Sequence, residues 1–308
     1  MNFLKSITGI LMLSIFMVGC HNDDQVLQEE TLDYKNIATT SKNSVIRSNV
    51  KIMTYNTHLF LITRYDDVKR QAAVINFINQ HTDNDIIVFS EVWSDAAKRE
   101  IVFDLRLTYP YSVHTETSGA TVGDGLLVIS KFPINRSSFE KFDDEAGIDA
   151  LSDKGFWELE IATAEGAAFY LYGTHMQSGS SHRTVRGKQL DQIKKKMKAK
   201  HDAGYAVVLA GDLNVSADTD EYRINIKEKF TFLRDPVPSA SGSAYITYDK
   251  PFNKLAEEFD GNGLVQERLD YILMSKTSFQ GRVGQTNLYR PKYQSTNDGT
   301  MDVSDHYP

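Results

Sequence analysis

The sequence is poor in cysteine and in positive charge, and both shortages exclude functions. Cys20 is the only cysteine among 308 residues, which excludes an internal disulfide, a cysteine-ligated zinc site and a second candidate for a thiol nucleophile. Lysine and arginine number 34 against 41 aspartate and glutamate residues, a formal net charge of −7. Non-specific polyanion binding depends on lysine and arginine that neutralise phosphates, so nucleic acid is disfavoured as the main substrate.

The N-terminal residues contain an apolar run that is too short for a comfortable bilayer span. The run ITGILMLSIFMVG covers residues 7–19, follows Lys5 and ends at Cys20, whereas a spanning helix needs about 20 apolar residues. This pattern is typical of a secretory signal, which we assign to residues 1–19. The junction MVGC followed by HNDDQ resembles the lipobox of bacterial lipoproteins. The resemblance implies cleavage before Cys20 and its lipidation; the alternative is an ordinary signal in which the cysteine is incidental.

We therefore expect an exported, lipid-anchored protein of a bacterial envelope. The expected membrane is the outer membrane, and the sequence leaves open whether the protein faces the periplasm or the outside. Residues 20–49 are polar and show no sustained apolar period, so we predict a flexible tether there.

Residues 50–308 have the pattern of one α/β domain. Helical spacing places two apolar faces, one with Val68, Ala72, Ile75 and Ile78 and one with Val185, Gln189, Ile193 and Met197. Short apolar or alternating runs predict seven strands: VKIMTY, DIIVFS, GLLVIS, FWELEI, AFYLYGT, YAVVLAG and DYILMS. No internal repeat or second linker interrupts the sequence of this segment.

Polar side chains recur at the ends of the predicted strands. Those that follow a strand are Asn56, Glu91, His175, Asp212 and Asn214, and those expected where a later strand begins are Asp270, Asp305 and His306. If the later strands run antiparallel to the earlier ones, all of these groups meet at one edge of the core. This edge is the predicted site.

The residue types at this edge suit metal-dependent phosphate chemistry. Glu91 and Asp212 are hard oxygen donors, and Mg²⁺ favours a few carboxylates together with water and substrate phosphate. Zinc is the weaker candidate, because the sequence has no cysteine cluster and no His-x-x-x-His spacing. Two histidines beside a metal and a phosphate can divide the work, one removing a proton from water and one stabilising phosphoryl oxygens.

The order Asn56, Glu91, His175, Asp212-x-Asn214, Asp270 and Ser304-Asp305-His306 resembles the endonuclease/exonuclease/phosphatase superfamily of metal-dependent phosphodiesterases. The stretches GDGLLVISKFPI, LSDKGFWELEI, YGTHMQSG and TVRGKQLDQI are most similar to bacterial neutral sphingomyelinases. The resemblance covers nearly all of residues 50–308. It implies a DNase I-like, four-layered α/β sandwich in which two mixed sheets pack face to face with helices outside.

The resemblance also implies a metal site. Glu91 is expected to hold the catalytic Mg²⁺ with help from Asn56, and Asp305 to contribute to the metal shell. Mn²⁺ or Co²⁺ are the expected substitutes.

For catalysis, the resemblance implies that His306 is the general base and that Asp270 orients its imidazole. Asp212 is expected to assist the leaving alkoxide or the metal, while His175 and Asn214 stabilise the phosphoryl oxygens. The expected reaction is in-line attack of water on sphingomyelin or a related ceramide phospholipid. It releases ceramide and a phosphorylated head group, phosphocholine or phosphoethanolamine.

Two other functions stay open at this point. A nuclease or phosphatase of the same superfamily predicts a basic groove, which the net charge of −7 does not indicate. A catalytically inactive binding lipoprotein predicts the loss of a metal or base residue, and every one is present. The expected partner is a sphingolipid in a membrane, without nucleic acid, and the expected state is a monomer.

The sequence departs from the sphingomyelinase pattern in two places. Secreted members often carry an aromatic β-hairpin that enters the membrane, and NLYRPKYQSTNDGTMD offers only Tyr289 and Tyr293 there. Relatives also continue beyond SDHYP into a final strand, whereas this sequence stops at Pro308. We expect Asp305 and His306 to lie on a frayed end as a result.

Several conspicuous residues have a structural interpretation. The basic run Lys194–Lys200 is interpreted as a solvated helix face, Trp157 as packed beside a sheet, and Trp93 as lying near a helix start. His58 is interpreted as filling a loop.

Overall fold

A computed structural model of the protein describes residues 49–60, 66–117, 122–163, 166–217, 219–237, 245–260, 264–276 and 286–308. All of them belong to one compact unit, Ala38–Pro308. The predicted signal segment, the lipidation site Cys20 and the tether up to residue 48 lie outside the described residues. Among the described helices, none has the length and apolar character needed to cross a membrane.

The strands form two mixed sheets and two small two-stranded antiparallel sheets. In chain order they are β1 (Ile52–Leu59), β2 (Ile86–Val92), β3 (Tyr111–His114), β4 (Leu127–Ser130), β5 (Ile134–Lys141), β6 (Gly155–Ala162), β7 (Ala168–His175), β8 (Ala206–Asp212), β9 (Leu233–Arg234), β10 (Tyr248–Asp249), β11 (Gln266–Glu267), β12 (Asp270–Ser275), β13 (Lys292–Gln294) and β14 (Thr300–Asp302). The first sheet has the order β1-β2-β4-β3 and the second β5-β6-β7-β8-β12-β9. Parallel pairs occur at β1 with β2 and at β7 with β8, and the other pairs in both sheets are antiparallel.

Helices pack against the outer faces of both sheets, and the last helix packs near the short strand β14. They are α1 (Asp67–Gln80), α2 (Asp95–Leu105), α3 (Arg183–Asp202), α4 (Asp220–Tyr222), which continues into a π-helical turn (Arg223–Glu228), and α5 (Lys254–Asp260). Two 3₁₀ turns, Gly147–Leu151 and Ser180–His182, lie in the connections on either side of β6 and β7. Each of the two sheets thus has helices that pack against it.

Side chains alternate across β2 and show how the layers pack. Ile86 and Val88 lie in the core between the two sheets, whereas Ile87 and Phe89 pack with the buried residues of α1 and α2. The second sheet likewise shares one face with the first sheet and packs its other face against α3. These period-two alternations confirm the four-layered sandwich.

Most predicted elements are confirmed, and the errors are local. Asn56 lies inside β1, because the strand continues through an irregularity to Leu59. The segment SDHYP does not begin a strand, since His306 makes only an isolated bridge with Tyr248. The buried face of α3 is as predicted at its three inner positions, Gln189, Ile193 and Met197.

The predicted face of α1 is wrong at its first half. Val68 and Ala72 are exposed, whereas Val74, Ile75 and Ile78 are buried. The helix also buries Arg70, a residue that sequence patterning assigns to the surface. The buried face of α1 therefore includes this arginine and differs from the purely apolar face.

The last residues of the chain are held on both sides. Tyr307 donates its backbone N–H to the carbonyl of Thr247 at 2.8 Å, and Tyr289 donates to the carbonyl of Pro308 at 2.9 Å. Asp305 and His306 are buried. The expectation that these two residues lie on a frayed end is therefore wrong.

Candidate functional site

The topology brings the predicted polar residues to one edge of the sandwich. Because β1 and β2 are parallel, and β7 and β8 are parallel, their carboxyl ends meet there. In the second sheet His175 and Asp270 are both register partners of Asp212, since β12 runs antiparallel to β8 and starts where β8 ends. Placement at one edge is thus confirmed for the strand-borne residues.

Asn56 connects the two sheets within the site. Its side-chain Nδ2 donates to Oε1 of Glu91 at 3.0 Å and to Oδ2 of Asp212 at 3.0 Å. The first carboxylate belongs to the first sheet and the second to the other sheet. One buried amide therefore fixes the spacing of two acidic groups that face each other.

Asp270 and His306 form a buried hydrogen-bonded pair. Nδ1 of His306 lies 2.8 Å from Oδ2 of Asp270, and Nε2 of His306 lies 3.8 Å from Oδ2 of Asp212. Burial lowers the pKa of His306, but the carboxylates of Asp270, Asp212 and Asp305 outweigh burial and raise it well above 6.5. The arrangement holds the ring with Nε2 facing the site, as a general base requires.

His175 has a contrasting partner, Lys154. The Lys154 ammonium lies 3.2 Å from Nε2 of His175 and also donates to Oδ2 of Asp149 and to the carbonyl of Met176. Burial and the neighbouring lysine lower the pKa of His175 to about 3. With Nε2 accepting from the ammonium, the neutral imidazole carries its proton on Nδ1.

Lys154 belongs to the sphingomyelinase-like stretch LSDKGFWELEI, but the sequence pattern assigned it no role in the site. The indication available in the sequence was a lysine next to a glycine at the predicted start of a strand. The structure buries it with 2% of its side chain exposed. A buried ammonium needs several partners, and three surround it here.

Asn214 is positioned by the turn that follows β8. Its backbone N–H donates to Oδ1 of Asp212 at 2.8 Å, and its Nδ2 donates to the carbonyl of Met176 at 3.0 Å. Asp212 itself is buried beside Asp270, and these two causes raise its pKa to about 7. A cation that enters the site would stabilise the ionised form of this carboxyl group.

His58 is part of the site, so its interpretation as loop filling is wrong. Its Nδ1 lies 3.1 Å from Oδ2 of Asp305 and 3.4 Å from Oε2 of Glu91. Although burial opposes protonation, these two carboxylates raise the pKa of His58 to about 9. No sequence signal separated it from a loop histidine, because its position depends on the bend at the end of β1.

Backbone strain is concentrated around the site. Four described non-glycine residues have positive φ, and three of them, His58, Glu91 and Asn214, have φ values of 49°, 58° and 51°. The fourth is Asp66, which precedes α1. Left-handed backbone at such residues costs energy and is kept where surrounding contacts enforce it, commonly at functional sites.

Arg70 enforces one of these bends. Its fully buried guanidinium donates to the carbonyls of Thr57 and His58 at 2.7 and 2.8 Å and to the carbonyl of Val303 at 2.8 Å. The same side chain thus holds the end of β1 and the segment that leads to Asp305. Sequence reasoning missed Arg70 because a buried arginine is uncommon on a helix.

The aromatic residues fall as predicted, with one addition. Trp157 packs between the sheets, and Trp93 precedes the Ser94 cap of α2. Trp93 also directs its indole Nε1 to Oε2 of Glu91 at 3.4 Å and lies 6.3 Å from the His175 ring. It therefore forms part of the site wall.

The donor set suits a divalent cation. Four carboxylates, Glu91, Asp212, Asp270 and Asp305, lie together at this buried edge with Asn56, and buried carboxylates require a compensating cation. Among the described residues, Asp212, Asp270 and His306 have donor atoms within 4.8 Å of one another. Since His306 is occupied by Asp270 through Nδ1, we interpret it as a base. Metal ligation by Glu91, Asn56 and Asp305 stays a prediction.

The fold and this acidic site define a hydrolase of the phosphodiesterase type that uses a divalent metal. The sequence profile of the Endonuclease/Exonuclease/phosphatase family matches residues 53–306. The chain belongs to this family.

Curated relatives are similar over most of the chain. Phospholipase C of Staphylococcus aureus is 27% identical over 339 aligned positions, which cover 100% of this chain and 96% of the relative. Sphingomyelinase C of Leptospira interrogans is 27% identical, with 99% of this chain and 64% of the relative covered.

Solved structures agree with the fold. Sphingomyelinase C from Streptomyces griseocarneus is 25% identical with a TM-score of 0.67, covering 84% of this chain and 97% of that one. A beta toxin variant from Staphylococcus aureus, solved with bound magnesium ions, is 22% identical with a TM-score of 0.69. That comparison covers 84% of this chain and 98% of the toxin. The expected DNase I-like, sphingomyelinase-like architecture is confirmed.

Proposed function

We propose that the protein is a Mg²⁺-dependent sphingomyelin phosphodiesterase that releases ceramide and a phosphorylated head group. The observation that carries the proposal is the buried Asp270–His306 pair beside Asp212, together with a second histidine, His175, that lies beside Asp212 and Glu91. Two of the similar proteins named above are sphingomyelinases C. Mn²⁺ and Co²⁺ are the proposed substitutes for Mg²⁺.

The proposed base is His306. Its Nε2 takes a proton from the attacking water, while Asp270 accepts the hydrogen bond from Nδ1 and stabilises the imidazolium that forms. Such a pair contributes a factor of about 10² to 10⁴ to the rate. Only the neutral imidazole can accept this proton, so activity should rise with pH through the raised pKa of this histidine.

The proposed anion-stabilising groups are His175 and Asn214. The neighbouring Lys154 keeps His175 neutral, and we propose that this ring helps to stabilise a phosphoryl oxygen. The Met176 carbonyl fixes the amide of Asn214 in the same region. Glu91, Asn56 and Asp305 are the residues that would hold the cation, which supplies charge neutralisation on the phosphodiester when it is bound.

The test is a substrate panel with a catalytic control. Release of phosphorylated head group is measured from sphingomyelin, phosphatidylcholine and ceramide phosphoethanolamine, beside DNA cleavage, with and without Mg²⁺. We expect Mg²⁺-dependent release from a sphingolipid and none from His306→Ala. DNA cleavage without lipid hydrolysis would replace the proposal by a nuclease, and inactivity toward all substrates would favour a binding lipoprotein.

We also propose that Cys20 carries the lipid that anchors the protein in the outer membrane. The support is the lipobox-like sequence before Cys20, where a small residue directly precedes the cysteine. In a detergent-partitioning experiment the expressed protein should be found in the detergent phase. Cys20→Ser should move the protein to the aqueous phase or block its processing. A detergent-phase Cys20→Ser protein would contradict the anchor.

A further inference from the structure

Two segments that are distant in the chain meet beside the proposed cation, and they carry two of the three residues assigned to hold it. Asn56 and His58 lie in β1, whereas Asp305 follows β14. Nδ1 of His58 lies 3.1 Å from Oδ2 of Asp305, so the two segments are in direct contact. A shift of one segment against the other would change the spacing between Asn56 and Asp305.

The guanidinium of Arg70 is hydrogen-bonded to both segments. Its Nη2 donates to the carbonyls of Thr57 and His58 at 2.7 and 2.8 Å, and its Nε donates to the carbonyl of Val303 at 2.8 Å. Nη1 donates to Oδ1 of Asp67 at 2.9 Å. A guanidinium is planar and its N–H groups have fixed directions, so it sets the distance between the carbonyls that it bonds.

A serine hydroxyl makes a second connection between the same segments. Oγ of Ser304 donates to the carbonyl of Asn56 at 2.7 Å and accepts from the backbone N–H of His306 at 3.2 Å. Asn56 and Ser304 are 248 positions apart in the chain. The backbone that leads to Asp305 is therefore connected to β1 at two successive residues, and Arg70 makes the first of these connections.

The helix that carries Arg70 is itself attached to the loop that precedes β14. Asp66, directly before α1, accepts from the backbone N–H of Thr296 at 2.7 Å and from the hydroxyl of Ser295 at 2.9 Å. These two residues lie between β13 and β14, and β14 leads directly to Val303. The start of α1 therefore places Arg70 at a defined position relative to this segment.

Stability of the fold does not by itself account for an arginine at this buried position. A buried charge loses its hydration, and its replacement by well-packed apolar residues is often neutral or stabilising. The left-handed backbone of His58, with a φ of 49°, needs contacts that hold it. Arg70 supplies one of them through the His58 carbonyl. Its hydrogen bonds thus maintain a bend that a relaxed strand end would not adopt.

We propose that Arg70 is a positioning residue that holds Asn56 and Asp305 at the spacing that the cation requires. It acts through the backbone carbonyls of His58 and Val303. The inference rests on the proposed function, because it takes Mg²⁺ as the cation and these two residues among its ligands. Mg²⁺ demands near-ideal ligand geometry, so a displaced backbone should lower its affinity.

The test compares Arg70→Lys with Arg186→Lys, a change at the second fully buried arginine. Arg186 lies on α3, donates to the carbonyls of Gln177 and Gly179 and pairs with Glu221 at 2.7 Å. Its hydrogen-bonding pattern matches that of Arg70, but its acceptors do not belong to the segments of Asn56 and Asp305. Lysine keeps the charge in both variants and lacks the planar set of donors.

Mg²⁺ affinity of the full-length protein in detergent is measured by calorimetry without substrate. Tm and turnover on sphingomyelin vesicles at limiting and saturating Mg²⁺ are measured beside it. We expect Arg70→Lys to bind Mg²⁺ about 10-fold to 100-fold less tightly, the usual effect of removing a group that orients metal ligands. Arg186→Lys should keep the parent affinity even if its Tm falls by as much. Turnover of Arg70→Lys should fall at limiting Mg²⁺ and recover as Mg²⁺ is raised.

Arg70→Gln is included because a neutral amide leaves no buried charge without its partners. Failure of both Arg70 variants to fold, beside a folded Arg186→Lys, would make Arg70 a folding residue and overturn the proposal. Unchanged Mg²⁺ affinity in the Arg70 variants, equal losses at Arg70 and Arg186, or a parent that binds no Mg²⁺ would also overturn it. A turnover loss that Mg²⁺ does not restore would do the same.

The proposed function fails in a different way. A parent protein that binds Mg²⁺ and leaves sphingomyelin intact would overturn the sphingomyelin phosphodiesterase. Weaker Mg²⁺ binding by the Arg70 variants alone would still support the positioning role in that case, because calorimetry needs no substrate.

Discussion

His175 and His306 both lie beside Asp212, yet their pKa values are shifted in opposite directions. Nε2 of each ring lies 3.8 Å from the same Oδ2 of Asp212, and both rings are buried. His306 faces Asp270 at 2.8 Å, whereas His175 faces the ammonium of Lys154 at 3.2 Å. The pKa of His306 is raised well above 6.5, and the pKa of His175 is lowered to about 3.

The sign of the neighbouring charge therefore decides the protonation state of each histidine. Burial disfavours the imidazolium at both positions, so burial cannot explain opposite shifts. Carboxylates outweigh it at His306, and Lys154 adds to it at His175. Two groups whose surroundings push their pKa values apart are suited to separate roles in one reaction.

The largest expected effect comes from removing the carboxylate-flanked ring. His306→Ala should slow turnover by about 10² to 10⁴-fold, because general base catalysis is lost. The rise of rate with pH should disappear from the profile as well. His201→Ala, at the end of α3 and next to the start of β8, is the matched control. Survival of the rising limb in His306→Ala would assign the base to another group.

The next effect concerns the carboxylate on the His175 side. Glu91 lies 3.8 Å from Nε2 of His175 and accepts from Asn56. Glu91→Gln keeps the shape but offers a hard cation only a neutral amide, so apparent Mg²⁺ affinity should fall by more than about tenfold. Calorimetric Mg²⁺ titration and turnover at limiting Mg²⁺ measure the change. Full turnover at limiting Mg²⁺ would contradict the assignment of Glu91 to the metal.

A third variant reverses the contrast between the histidines. Lys154→Met removes the ammonium beside His175, so the pKa of His175 should move up toward 6.5. Histidine ring signals in an NMR titration of the metal-free protein report this shift. Lys141→Met, which removes the more exposed partner of Glu145 and Asp153, should leave His175 unchanged. An unaltered His175 in Lys154→Met would mean that burial alone sets its state.

The smallest effect is on stability and depends on pH. Burial raises the pKa of Asp149, but Lys154 and the Ser178 backbone N–H outweigh burial and hold it below 3.8. A lowered carboxyl pKa stabilises the fold above about pH 4, and this contribution is lost as pH falls through the folded-state value. Asp149→Asn should therefore cost about 1–3 kcal/mol near pH 7, since a buried ammonium loses its charged partner.

Melting temperatures from pH 7 down to pH 3 measure this difference. The gap between Asp149→Asn and the parent should narrow as the pH falls below about 4. Asp202→Asn, which removes an exposed carboxylate paired with Lys198, is the control and should change Tm little at any pH. A gap that stays constant with pH would show that Asp149 stabilises the fold through packing rather than charge.

Much of the site could be predicted because polar residues directly before or after an apolar run indicate the end of a strand. Asp212 and Asn214 follow a run of buried apolar residues, and Asp270 precedes another, so both patterns indicated an edge. The sequence pattern does not show which strand ends are neighbours. The register of the antiparallel pair shows it, because Asp270 pairs directly with Asp212. The strand predictions were correct where alternation and apolar runs were unbroken.

The errors arose where a side chain acts across distant segments. His58 contacts Asp305, which is distant in the chain, and Arg70 bonds the carbonyls of His58 and of Val303, two residues before Asp305. A histidine after a strand and an arginine on a helix are ordinary surface patterns, so neither signals a role. The buried face of α1 was misjudged for the same reason.

Residue patterns in the sequence were enough to indicate an α/β domain, the polar residues at strand ends and the chemical character of the site, because these depend on neighbours within a few positions. The four layers were implied by the family resemblance rather than by periodicity. The tertiary structure alone decided which charge each histidine faces and which apolar residues stay exposed. Lys154 lies just before β6 and Asp270 begins β12, and a pKa depends on atoms within a few ångströms rather than on neighbours in the chain.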